Sequence, residues 1–103
     1  IHFFPSQKAI ANGRQILIYE NQQWTLFHDQ PPVNIDILFP IDTQSFVISS
    51  NTDFQESDLY IRKNKQWRKI WNPIANVIYS LYFTDLENGA VSGLGEIALL
   101  KNG

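Results

Sequence analysis

The chain has 103 residues, 44% hydrophobic and 14% aromatic, with a formal charge of −2 and no cysteine. That composition predicts one folded unit and excludes a disordered chain, a disulfide scaffold and a thiolate metal site. The small charge supplies no field for nucleic acid, and no apolar run approaches the roughly 20 residues of a helical membrane span.

In chain order, the apolar runs predict strands at 1–4, 8–13, 15–20 and 23–29. A second set follows at 34–39, 45–50, 58–63 and 66–72, and a third at 77–83, 89–93 and 96–101. Every run is short, rich in β-branched and aromatic residues, and bounded by turn residues. No window carries the apolar spacing of a helix of ordinary length. Gln30-Pro31-Pro32 and Asn72-Pro73 punctuate the ends of the first two sets.

The sets repeat. Trp24 and Trp67 stand 43 residues apart, as do Ile35 and Ile78, Asp42 and Asp85, and Ser49 and Ser92. Residues 1–13 overlay 81–93, with Gly13 on Gly93. Four antiparallel strands in about 40–45 residues describe a β-propeller blade, and such units bury their faces by stacking. The predicted fold is all-β: a single partial propeller over 1–103, with blades at 1–33, 34–76 and 77–103. The last blade lacks its fourth strand, leaving about 2.75 blades. An eleven-stranded sandwich is the alternative. Asn21, Asn64 and Asn102 fall between the third and fourth strands of each copy, where a tight hairpin needs the left-handed backbone that asparagine tolerates.

Residues 78–103 resemble an Asp-box (BNR-like) propeller repeat of the photosystem II assembly-factor-like type. Phe83, Asp85, Gly89, Gly93, Gly95 and Ile97 match its strand, turn and glycine positions, and Trp24 and Trp67 match its tryptophan. The Asp-box itself is eroded: Tyr19 and Arg62 stand where its aspartate belongs, Asn21 and Asn64 where its glycine belongs. The resemblance implies a binding propeller in an extracytoplasmic place. It extends to glycan-processing and two-component sensor propellers.

Candidate sites are few. Gly93-Leu94-Gly95-Glu96-Ile97-Ala98 fits a dinucleotide fingerprint, but too few residues follow for the helix that must face the pyrophosphate. Gly93 and Gly95 are therefore read as turn residues, and no cofactor is expected. Sialidase-like chemistry needs an arginine cluster, and only Arg14, Arg62 and Arg68 are present. No catalytic residue is assigned. His2 and His28 are isolated, so no metal site is expected. Asp42 and Asp85 sit at equivalent turns, where aspartate accepts hydrogen bonds from its own backbone.

Residues 62–69 hold five of the eight basic residues, beside Trp67 and Trp71. Lys63, Lys65, Lys69 and Trp71 are candidate partner contacts, together with Phe54 in the inserted segment 51–57. Trp24 and Trp67 are expected to pack. The expected activity is non-catalytic recognition of a protein or glycan. A glycan-processing or sensor fragment is the alternative. Ile1 at the start and Lys101-Asn102-Gly103 at the end predict a piece of a longer protein, its remaining blades supplied by that chain or by a homo-oligomer.

Overall fold

The computed structural model describes residues 1–5, 8–13, 15–51 and 56–101. Those residues form strands and turns and no helix. The first sheet is β1 (His2–Phe3), β2 (Ala9–Asn12), β3 (Ile16–Glu20) and β4 (Gln23–Leu26). The second is β5 (Ile37–Pro40), β6 (Phe46–Ser50), β7 (Asp58–Lys63) and β8 (Gln66–Ile70). The third has three strands, β9 (Ser80–Asp85), β10 (Asn88–Gly93) and β11 (Glu96–Leu100). Each sheet is an antiparallel meander in chain order.

Some strand limits differ from those predicted, because side chains intercept the backbone. The strand predicted at 77–83 begins at Ser80. The Val77 N–H goes to Asn76 Oδ1 and the Ile78 N–H to Ser57 Oγ, so neither enters a ladder. The strand predicted to reach residue 72 stops at Ile70, and the Asn72 side chain becomes a brace. At its other end β9 runs on to Asp85, with an irregularity in register between Asn88 and Gly89.

Successive residues of a strand face opposite sides, so register sorts the side chains into two faces per sheet. In the second sheet, Leu38, Phe46, Ile48, Tyr60 and Trp67 share the face toward the first sheet. They pack with Ile10, Ile16, Ile18 and Phe27. Val47, Leu59 and Ile61 share the opposite face and pack with Leu81, Phe83, Val91 and Leu100 of the third sheet. We call the side toward the preceding sheet the leading face and the other the trailing face. The middle sheet is covered on both, and all five residues of β6 are buried. This explains why Phe46–Ile48 is a continuous apolar run rather than an alternating one, followed by the small residues Ser49 and Ser50.

The repeat therefore has geometric content. Positions 43 apart, such as Ile18 and Ile61, lie on the same face of successive sheets and are both buried. The link before each sheet repeats too. The Asp36 N–H donates to the Ser49 carbonyl and, 43 residues on, the Tyr79 N–H donates to the Ser92 carbonyl.

Two hairpins turn through left-handed pairs: Asn21 and Gln22 with φ of 53° and 64°, and Asn64 and Lys65 with φ of 54° and 64°. Positive φ at both central residues matches the right-handed twist of the flanking strands. Asparagine tolerates it, whereas glutamine and lysine pay a steric cost at Cβ. Gln22→Gly and Lys65→Gly should each stabilise the chain by about 0.5–1 kcal/mol. A midpoint of denaturation that falls in either variant would contradict this account. In the β10–β11 hairpin, Gly95 has φ of 73°, while Gly93 answers a different need. A Cβ on Gly93 would lie 2.7 Å from the Val77 carbonyl oxygen. Close approach of the incoming link, not a left-handed turn, requires that glycine.

Candidate recognition face

A meander puts its hairpins alternately at two ends. At one end lie the turns β1–β2, β3–β4, β5–β6, β7–β8 and β9–β10, which we call the turn end. At the other lie the hairpins after β2, β6 and β10, the link 71–79 and the later part of the first link, 30–36, whose earlier residue Asp29 instead reaches Arg62 and Trp67 beside the β7–β8 turn. We call it the link end.

The turn end is built from residues that satisfy their own backbone. Asp42 Oδ1 accepts the Gln44 and Ser45 N–H groups at 2.7 and 2.8 Å. Asp85 Oδ1 accepts the Glu87 N–H at 2.7 Å and the Asn88 side-chain amide at 3.0 Å. The Glu87 N–H and then the Asn88 amide hold the Asp85 carboxyl below its ordinary pKa. Those two carboxylates close their own turns.

The basic segment is dispersed by its strands. Arg62 is 1% exposed. Its Nε donates to Asp29 Oδ2 at 2.9 Å and its Nη1 to the Gln44 carbonyl at 2.7 Å, with the guanidinium 4.7 Å from the centre of the Phe27 ring. It is an internal tie between the first link and the second sheet. Lys63 pairs with Glu87, and Lys69 approaches Asp58 Oδ1 at 3.4 Å. Lys63 pairs across the ladder with Gln66 and Lys69 with Tyr60, so the two lysines lie on opposite faces of the sheet. Lys65 sits in the left-handed hairpin at the turn end. Lys63, Lys65 and Lys69 therefore do not form one patch.

Trp67 stacks on Phe46 with ring centres 6.1 Å apart and donates its indole N–H to the Asp29 carbonyl at 2.8 Å. Trp24 occupies the equivalent position on the first sheet, where it lies half exposed against Tyr19. Phe54 and Asn102 lie outside the described residues. His2 lies at the surface on β1, where partial burial of its ring lowers its pKa. Among the described residues no cluster of three or more His, Cys, Asp or Glu side chains could hold a metal.

The link end differs. Its scaffold is tied by two amide side chains that the sequence shows only as Gln30-Pro31 and Asn72-Pro73. Gln30 Oε1 accepts the Ile16 N–H at 2.9 Å, and its Nε2 donates to the Ile16 and Phe27 carbonyls at 3.0 and 2.7 Å. Asn72 Nδ2 donates to the Ser57 and Asn76 carbonyls at 2.8 and 3.0 Å, and its Oδ1 accepts the Ile74 N–H at 3.1 Å. A residue before proline is held extended, so in each case the amide is presented to neighbouring backbone rather than wound into a helix. The signal was an amide placed just before proline in two successive copies. Their role became visible only once strand ends and links were adjacent.

On that scaffold, the exposed side chains vary from copy to copy. Asn12, Gly13, Asn34, Ile35 and Asp36 line an open hollow of about 650 Å³ between the first two sheets. Trp71, 73% exposed, and Tyr79 lie on the second link, with Leu94 at the tip of the β10–β11 hairpin. Ala75, in the same link, has φ of 47°, a strained conformation for a residue with a Cβ. Among the described residues, Trp71 is a candidate contact from the sequence that is strongly exposed at this end. No helix among the described residues is long and apolar enough to cross a membrane. Compared with known family models, curated proteins and solved structures, the chain gives no match.

Proposed function

We propose that the chain is part of a β-propeller that serves as a non-catalytic binding or scaffold module, recognising a protein or glycan at its link end. The propeller reading is supported by three antiparallel meanders stacked in one direction, the trailing face of each on the leading face of the next. The recognition reading is carried by one observation, the contrast between the two ends. The repeated polar residues of the turn end are consumed by their own turns. The link end presents amides, a carboxylate and exposed aromatic rings that differ between copies. A rigid frame with variable side chains at one end suits binding, because little ordering is needed when a partner docks. Aromatic rings exposed beside polar groups bury large area while the polar groups set orientation.

The test is a screen of the purified chain against a glycan array and a displayed peptide library, followed by substitution. Trp71→Ala and Tyr79→Ala should each weaken the selected interaction by about 10–100-fold. Circular dichroism should stay unchanged. Replacing Lys63, Lys65 and Lys69 together by alanine should leave binding within about twofold, because the lysines are dispersed. Binding that survives the aromatic substitutions but not the lysine ones would move the site to the turn end. Turnover of reporter glycosides would replace the binding reading by a catalytic one.

A further inference from the structure

We propose that two copies of this chain close into a ring through two identical head-to-tail contacts. In each contact the leading face of the first sheet of one copy packs on the trailing face of the third sheet of the other. The inference rests on the propeller reading for its closure, and on the register of the sheets for the contact itself.

The end sheets carry opposite faces. The first sheet exposes its leading face: Phe3, Leu17, Trp24 and Leu26. Leu17 and Leu26 are direct cross-strand neighbours, as are Tyr19 and Trp24, so this is a continuous apolar surface. The corresponding face of the second sheet, with Tyr60 and Trp67 in place of Leu17 and Trp24, is the one that covers the first sheet.

The third sheet exposes its trailing face. Tyr82, Ala90 and Leu99 form one cross-strand row and Ser80, Ser92 and Ile97 the next. Tyr82, Ile97 and Leu99 are all well exposed, Leu99 at 67%. The row contributes to an apolar groove of about 300 Å³ running from Tyr82 past Ala90 to Leu99. The equivalent residues of the second sheet are Phe39, Leu59 and Ile61. They pack in the core shared with the third sheet, and Leu59 and Ile61 are 0% and 2% exposed.

Inside the chain, a trailing face packs on a leading face twice over. Each exposed face is thus one half of a contact the molecule already makes, and the missing half is the face at its other end. A second copy carries that missing half. An unrelated partner would have to imitate a repeat face, whereas another copy carries both halves. A contact between unlike faces builds a ring or an open filament, depending on the rotation per step. Propellers typically close with about 4–8 blades. Two copies of these three sheets bring six, within that range.

The experiment is sedimentation equilibrium of the 103-residue chain at micromolar concentration, with Leu26→Lys and Leu99→Lys, alone and mixed. Both leucines are exposed within one copy, so circular dichroism of each variant should match the parent. The parent should sediment at twice its 11.9 kDa mass. Each variant alone spoils both contacts of the ring and should weaken association at least about 100-fold. An equimolar mixture should regain part of the dimer, because Leu26→Lys keeps its trailing face and Leu99→Lys its leading face. Dimerisation that only Leu26→Lys or only Leu99→Lys abolishes would show like-with-like pairing and overturn the proposal. A monomeric parent with an all-β spectrum would overturn it too, and would leave the glycan and peptide screen to judge the binding reading separately.

Discussion

Asp29→Ala should lower stability by about 3–5 kcal/mol, more than Arg62→Met, which should lower it by about 1–2 kcal/mol. The asymmetry follows from which partner is left behind. The Asp29 side chain is 35% exposed and that of Arg62 is 2% exposed. When arginine is replaced by methionine, the remaining carboxylate turns to water and the methionine fills much of the space beside Phe27. When aspartate is removed, a guanidinium stays among buried groups with the Gln44 oxygens as its remaining acceptors. Restoring its hydration would mean opening the junction between the first link and the second sheet. For a chain of this size, each kcal/mol corresponds to roughly 4–8 °C of melting temperature. The Asp29→Ala variant should therefore melt at least about 12 °C below the parent. Thermal and urea denaturation of both variants give the order directly. An arginine replacement more damaging than the aspartate replacement would show that packing of the long side chain, rather than its charge, holds the junction.

Gly89→Ala should cost about 2–3 kcal/mol, whereas Gly13→Ala should be nearly neutral. A Cβ on Gly89 would meet the Phe83 ring and lie 2.7 Å from the Tyr82 carbonyl oxygen. Nothing lies within 4 Å of a Cβ on Gly13. The second sheet shows why the crowding is local. Pro40 and Phe46 face each other across β5 and β6, and 43 residues on, Phe83 and Gly89 face each other across β9 and β10. The aromatic ring has moved from one strand to its neighbour, and the glycine vacates the room it needs. Shortening the ring with Phe83→Leu should recover part of the loss in Gly89→Ala. If the double variant is no more stable than expected from adding the single effects, the two positions are not coupled.

This exchange explains part of what the sequence could and could not reveal. Gly89 was visible as a repeat glycine, but its reason depends on the ring opposite. Gly93 was read as a turn glycine like Gly95. Only Gly95 has the positive φ, and Gly93 is confined by the link that passes over it. The asparagine hairpins were legible because a two-residue left-handed turn places a local demand on two neighbouring residues. Asp42 and Asp85 were legible as turn formers for the same reason, since they bond to backbone two or three residues away.

The candidate site was less legible. Lys63, Lys65 and Lys69 read as one basic cluster because they are close in sequence. The pleat sends Lys63 and Lys69 to opposite faces, and each meets a carboxylate from elsewhere in the fold. Arg62, within the same run, is drawn inside by Asp29, 33 residues away. Gln30 and Asn72 passed as punctuation before proline, yet they bind strand ends and links together.

By itself the sequence determined the all-β class, the three-fold repetition, the places of the hairpins and the alternation of apolar residues. Those properties follow from local conformational preference and from a side-chain period of two. The tertiary structure alone decided which alternate face is covered, which charges are buried and paired, and which end carries exposed aromatic rings. These depend on contacts between residues tens of positions apart. No short window of sequence records whether a neighbouring sheet has arrived to cover an apolar face, as it has for Leu59 and Ile61 and has not for Ile97 and Leu99.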